Sequence, residues 1–310
     1  MKTTKTVSLL LMAALLLGLL TGGALGETAA PISLKDMTDR EIKLDAPATR
    51  IVALTPSDCE ILYALGAGDT LVGRGTYCDY PAEVLDVPAV QSGSDTNIEQ
   101  IIALSPQVVL MSNMSQTEEQ AAAMEAAGIT VVISDAHDIA GVYTAIELIG
   151  AVVGKTQEAA GLVDAMKASF DAIAQKVAGD GSKTVYFEVS PLQWGLWTAG
   201  SGTFMDELCG MLGLKNAFAD VNGWGQISQE QVIERDPDYI VTITMYYGEG
   251  PTPEEEIVSR EGWQDLKAIK NGTILNADQN EISRPGPRLT EAAETQYQFV
   301  YGPETLVPAA

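Results

Sequence analysis

A segment that occurs twice constrains this chain more than any other feature. Asn97-Ile98-Glu99-Gln100-Ile101-Ile102-Ala103-Leu104-Ser105-Pro106 continues into Val108-Val109-Leu110. Ser228-Gln229-Glu230-Gln231-Val232-Ile233-Glu234-Arg235-Asp236-Pro237 continues into Tyr239-Ile240-Val241. Each copy places a glutamate seven residues before a proline. Each reads as a short amphipathic helix, stopped near the proline, followed by an apolar strand. The copies lie too far apart for a solenoid repeat of about 20–50 residues, so they imply two similar lobes. Glu99 and Glu230 then hold equivalent, exposed positions, suited to docking.

The chain opens with Lys2 and Lys5, an apolar run over residues 7–20 and the small-residue stretch Thr21-Gly22-Gly23-Ala24-Leu25-Gly26. This pattern predicts a secretory signal over residues 1–26, cleaved after Gly26. The apolar run falls short of the ~20 residues that span a bilayer. No cysteine stands at the cleavage site to carry a lipid anchor, which favours a periplasmic over a tethered form. The formal net charge is −24. It becomes more negative once the two leader lysines are gone, which disfavours nucleic acid and anionic lipid as partners. Cys59, Cys78 and Cys209 cannot all pair within one chain. A Cys59–Cys78 disulfide is open to an exported protein, but spacing does not establish it. None has CxxC spacing, so the chain carries no zinc or iron–sulfur signature.

Residues 51–54 read as a strand, after which Thr55-Pro56-Ser57 opens a helix. Ser57 and Glu60 have capping-box spacing, with Ile61, Leu62 and Leu65 as the buried stripe. Strands at 71–73, 108–111 and 130–133 alternate with an alanine-rich helix over 118–127. This predicts an α/β lobe with a mostly parallel sheet. Residues 139–177 are helical in pattern, broken at Gly154-Lys155-Thr156. Ala159, Leu162, Val163, Met166, Phe170 and Ile173 recur there at helical spacing, giving a rigid connector rather than a flexible linker. A second α/β lobe follows, with strands at 184–189, 239–244 and 273–276. Its helices are one after Gly200-Ser201-Gly202-Thr203 and a last one over 290–301. The expected organisation is leader 1–26, first lobe 27–154, connecting helix 155–179, second lobe 180–302 and tail 303–310.

The run Arg50-Ile51-Val52-Ala53-Leu54-Thr55-Pro56-Ser57, with Glu60-Ile61-Leu62 and Leu65-Gly66-Ala67-Gly68, resembles the opening of one family. That family comprises the substrate-binding proteins of ABC importers for cobalamin, ferric siderophores and haem. Tyr77-Cys78-Asp79-Tyr80-Pro81, the Glu99 segment, Gly202-Thr203-Phe204, Gly223-Trp224-Gly225-Gln226-Ile227-Ser228 and Arg284-Pro285-Gly286-Pro287-Arg288 match in the same order. The resemblance implies two Rossmann-like lobes joined by a single long helix, with little hinge motion and a ligand cleft between them. It also implies that Glu99 and Glu230 dock onto arginines of a permease dimer, where carboxylate and guanidinium form bidentate, charge-assisted pairs.

In the cobalamin-binding branch, aromatic residues occupy the positions of Tyr77 and Trp224. Flat rings suit a corrin because they bury much apolar area at low entropy cost. Trp194, Trp197, Tyr246 and Tyr247 are further candidates at strand ends of the second lobe. Gly93 and Met111-Ser112 stand where some cobalamin binders have tryptophan, a departure from that branch. Few cations are expected in the cleft (Arg74, Arg284 and Arg288), which disfavours strongly anionic ferric siderophores, and Arg288 is a candidate ligand contact. Haem binders take an iron ligand from His, Tyr or Met, and the single histidine, His137, stands in a loop after a strand. A corrinoid is therefore expected first, a ferric siderophore second and haem third. The metal-containing molecule is cargo, with no resident cofactor and no metal site of the protein's own.

An enzyme on a two-lobed scaffold is the distant alternative. One histidine leaves no HExxH and few triads, and there is no GxSxG elbow or Walker loop. A site for free Zn²⁺ or Mn²⁺ would need several His and carboxylate ligands.

Overall fold

The computed structural model describes residues 31–113, 116–177 and 181–302. The expected leader and the tail 303–310 lie outside the described residues. A hairpin of β1 (Ile32–Lys35) and β2 (Glu41–Leu44), which the sequence pattern had not signalled, precedes the first sheet. That sheet contains β3 (Ile51–Ala53), β4 (Leu71–Gly75), β5 (Ala89–Val90), β6 (Val108–Met111) and β7 (Thr130–Ile133). Their spatial order is β5-β4-β3-β6-β7, every pair parallel. All residues of β3 and β6 are buried, as expected of central parallel strands covered on both faces. The covering helices are α1 (Pro56–Ala64), α2 (Ile98–Ala103), α3 (Glu118–Ala126) and α4 (Ile139–Val152).

The connector is α5 (Thr156–Lys176). Beyond it lie β8 (Thr184–Ser190), β9 (Trp197–Ala199), β10 (Lys215–Asn216), β11 (Trp224–Gln226), β12 (Tyr239–Thr242) and β13 (Ile274–Asn276). Their order is β11-β9-β8-β12-β13, with β10 also paired to β8. The sheet is parallel from β8 through β12 to β13, and β9 and β11 form an antiparallel ribbon at its edge. Helices α6 (Phe204–Met211), α7 (Gln229–Arg235), α8 (Pro253–Ser259), α9 (Lys267–Asn271), α10 (Gln279–Ile282) and α11 (Leu289–Tyr301) complete the chain. In each lobe the first strand is central, and the strand beside it follows the glutamate-bearing helix: α2 leads into β6, and α7 leads into β12. The duplicated segment therefore occupies the same place in both lobes.

Helix α1 starts earlier than the sequence reading placed it. Thr55 is its N-cap, accepting from the Asp58 amide, and Pro56 fills the first turn, where its missing N–H costs nothing. The Ser57–Glu60 capping box therefore does not form, and Glu60 is free for another role.

Helix α5 buries Ala159, Val163, Met166, Phe170 and Ile173. It packs on α4 of the first lobe and on α6 and α11 of the second. One apolar cluster runs from Ile51, Ile61 and Leu62 through Ile146 and Phe170 to Phe187, Leu208 and Tyr297. Opening the lobes would expose part of this shared core, at about 25 cal/mol per Å² of apolar surface. Smaller clusters fill the outer face of each sheet.

Candidate functional site

In α/β sheets, ligands bind outside the carboxyl ends of the strands. Here those ends form a cleft of about 1030 Å³. The first lobe contributes Pro56 after β3, and Thr76, Tyr77 and Asp79 after β4. The second contributes residues 244–247 after β12 and residues 276–280 with Ser283 and Arg284 after β13. Tyr77 is 72% exposed and Tyr247 84%, with Tyr246 half-exposed. Three phenol rings from two lobes thus face an open volume that suits a large, flat ligand. Asn276, Gln279 and Asn280 add neutral amides to the wall, and Asn276 Oδ1 has no hydrogen-bond partner.

The charges beneath the cleft are already engaged. Arg284 donates to Glu60 Oε1 at 2.9 Å and to Asp79 Oδ1 at 2.6 Å. Burial alone would lower the Arg284 pKa, but the Asp79 and Glu60 carboxylates hold it above its usual value. Arg288 meets the same glutamate, through Nε to Oε2 at 2.9 Å and through Nη2 to Oε1 at 2.8 Å. Its guanidinium lies 4.0 Å from the Tyr80 ring centroid. Glu60, only 4% exposed, therefore receives two arginines from the opposite lobe. Arg284 is the one cation among the described residues lining the cleft, where Asp79 and Asp278 are the acids.

The other candidates are distributed over several surfaces. Arg288 lines a separate cavity of about 620 Å³ against α5, with Tyr63, Tyr80, Leu162 and Met166. Arg74 lies behind the Tyr77 loop, donating to the carbonyls of Gly75, Thr76, Cys78 and Val87, so it shapes that loop. Trp224 meets Phe204 edge-on, with centroids 5.8 Å apart. Trp197 shares its face of the β9–β11 ribbon, because the register opposes Trp197 to Gln226 and Ala199 to Trp224. Trp194, 76% exposed, stands in the turn before β9. This second aromatic surface adjoins a lobe contact in which the Phe204 amide donates to His137 O. His137 is exposed, with Nε2 3.5 Å from Asp135 Oδ2. None of the three tryptophans lines the 1030 Å³ cavity.

Glu99 and Glu230 are each the second residue of their helix, capped by Asn97 and Ser228 respectively. Both are exposed. Helices leading into parallel strands begin at the carboxyl edge of the sheet, so both glutamates lie on the edge where the cleft opens. A carboxylate there faces the positive end of the helix. Hydrogen bonds from Ser228 and from the helix backbone hold the Glu230 carboxyl below its usual range. One turn on, Ile102 and Ile233 are also exposed, at 43% and 39%.

Sequence reasoning missed Glu60 and Asp79. Glu60 left one signal: an acid beside Cys59, Ile61 and Leu62 in a buried helix requires a partner.

The family profile described as periplasmic binding protein matches residues 51–281. The chain belongs to that family. It is 35% identical over 281 residues to an ABC transporter substrate-binding lipoprotein of Bacillus subtilis, covering 89% of this chain and 87% of that one. It is 30% identical over 250 residues to a vitamin B12-binding protein of Salmonella choleraesuis, covering 80% and 88%. The crystal structure of a possible iron-binding, periplasmic solute-binding protein from Staphylococcus epidermidis matches with a TM-score of 0.70. Its sequence is 32% identical, and the match covers 82% of this chain and 99% of that one. The protein is thus an extracytoplasmic solute-binding component of an ABC importer, with a permease as its partner, and is not an enzyme. Among the described residues, no helix is long and apolar enough to cross a membrane.

Proposed function

We propose that this binding protein captures a corrinoid of the cobalamin type and passes it to a permease dimer that grips Glu99 and Glu230. The lobes are taken as residues 27–154 and 180–302, with 155–179 between them. The observation that carries the corrinoid reading is the engagement of Arg284 by Glu60 and Asp79. A polyanionic ferric catecholate would need free cations here, whereas a corrin fringed with carboxamides needs rings and neutral amides. Tyr77, Tyr246 and Tyr247 supply the rings, and Trp224 with Trp197 and Trp194 extends the aromatic surface along the lobe contact. Arg288 acts by fixing Glu60. The similarity to a vitamin B12-binding protein supports this cargo, and that to a possible iron-binding protein supports the ferric-chelate alternative.

Haem is a second reading, favoured by one contact: the Tyr247 hydroxyl donates to Met245 Sδ at 2.9 Å, so two iron-ligand types meet in the cleft. Calorimetric titration with cyanocobalamin, a ferric catecholate and haemin separates the three. One-to-one saturation by the corrinoid alone supports the proposal. Saturation by either of the others with no response to the corrinoid overturns it.

A further inference from the structure

Two thiols from separate elements meet behind the cleft wall. Cys59 Sγ and Cys78 Sγ each donate to the same carbonyl oxygen, Ala53 O, at 3.9 Å. Both are buried, with 0% and 1% of their surface exposed. The close approach depends on Gly75: a Cβ there would fall 2.3 Å from Leu54 O, so only glycine lets the end of β4 run this close to β3. Cys59 precedes Glu60, which holds Arg284 and Arg288. Cys78 stands between Tyr77 and Asp79, the cleft-wall residues of the first lobe. We propose that Cys59 and Cys78 close as a disulfide in the exported protein, tying the Tyr77–Asp79 cleft wall to the helix that anchors the interlobe arginines.

The oxidant is a disulfide, either that of a thiol–disulfide oxidoreductase or oxidised glutathione. The thiolate of one cysteine attacks an oxidant sulfur and expels the first oxidant thiolate, giving a mixed disulfide. The second cysteine thiolate then attacks its partner's sulfur and expels the second oxidant thiolate. The chain loses two protons and two electrons, and the oxidant gains them as two thiols. Exchange needs a thiolate, and hydrogen bonding to Cys78 together with burial holds the Cys59 thiol well above its usual range. The bond therefore forms while the chain is folding, before β3 and α1 close over the pair. Cys209 stands in the second lobe, where burial pushes its thiol up to about 12, and it takes no part. The proposal rests on the extracytoplasmic location and is independent of the cargo.

The test is thiol labelling of the full chain refolded with oxidised glutathione, then denatured in excess maleimide without reductant. The expected result is a single label, on Cys209, an intact mass lower by two hydrogens before labelling, and a peptide joining Cys59 to Cys78. After reduction, all three cysteines should label. Labelling of all three without reductant, or a bridge that includes Cys209, would overturn the proposal. In the Cys209→Ala chain the oxidised form should take no label. Hydrogen exchange at the amides of residues 76–79 should be slower in the oxidised than in the reduced protein. Equal rates would remove the tie to the cleft wall.

Discussion

Ser105 and Asp236 hold the same place in the two lobes: each follows a glutamate-bearing helix, stands immediately before a proline and has positive φ, 50° and 45°. Non-glycine residues rarely adopt this region. The duplication therefore extends from side-chain pattern to backbone conformation, and it fixes how each helix turns into its strand.

The two positions respond differently to glycine. Ser105→Gly relieves the backbone strain and should raise stability by about 0.5–1 kcal/mol. Asp236→Gly relieves the same strain but removes the acceptor of the Lys267 amide, at 2.8 Å, so it should give no gain or a loss. Thermal unfolding of both variants beside the wild type checks the contrast.

The interlobe network should carry a large share of stability. Glu60→Gln leaves Arg284 and Arg288 buried without their shared carboxylate, and about 3 kcal/mol is expected to be lost in urea unfolding. Arg284→Ala should cost less, because Arg288 still satisfies both Glu60 oxygens. Equal losses would mean that Arg288 adds nothing to the hold on Glu60.

Asp58 gives the fold a pH dependence of opposite sign to the usual carboxylate. Burial raises it to about 6, only partly offset by hydrogen bonds from Thr55 and Ser134, and Asp135 adds repulsion. One oxygen, Oδ1, has no partner. The folded state thus binds the proton more tightly than the unfolded state, whose value is 3.8. This group's contribution is most favourable below pH 3.8 and declines as pH rises to about 6. Above that the ionised form carries a constant penalty, on the order of 2–3 kcal/mol. Asp58→Asn should be more stable than wild type at pH 7.5, and the difference should vanish near pH 4. A difference independent of pH would refute the assignment.

Docking and capture should separate. Glu99→Ala with Glu230→Ala removes both exposed carboxylates without touching the cleft. Uptake by cells carrying the cognate permease should fall at least tenfold, with the ligand dissociation constant within about twofold of wild type. Loss of affinity in the same variant would contradict the docking role.

The parts of this protein legible in its sequence are those set by neighbours in the chain. The strands Val108–Met111 and Thr130–Ile133 and the break between α4 and α5 follow from local apolar runs and a glycine. So do the capped helices bearing Glu99 and Glu230. The Glu60 pairs were not legible, because their arginines lie in the other lobe. Strands β9 and β11, three residues each, are too short to leave a periodic signal, and they decide where Trp197 and Trp224 face. Tyr77 lies in the loop after β4, and Tyr246 and Tyr247 in the loop after β12, the strands beside the central one in each sheet, whose carboxyl ends must form the cleft.

The central claim is that the cargo sits between the tyrosines of the two lobes. The most direct measurement is the cyanocobalamin dissociation constant of the wild type beside the Tyr77→Ala, Tyr247→Ala double variant. Loss of two opposed rings should weaken binding by about 10–100-fold, with the thermal midpoint unchanged because both side chains are solvent-exposed. An unchanged constant in the double variant would contradict the account.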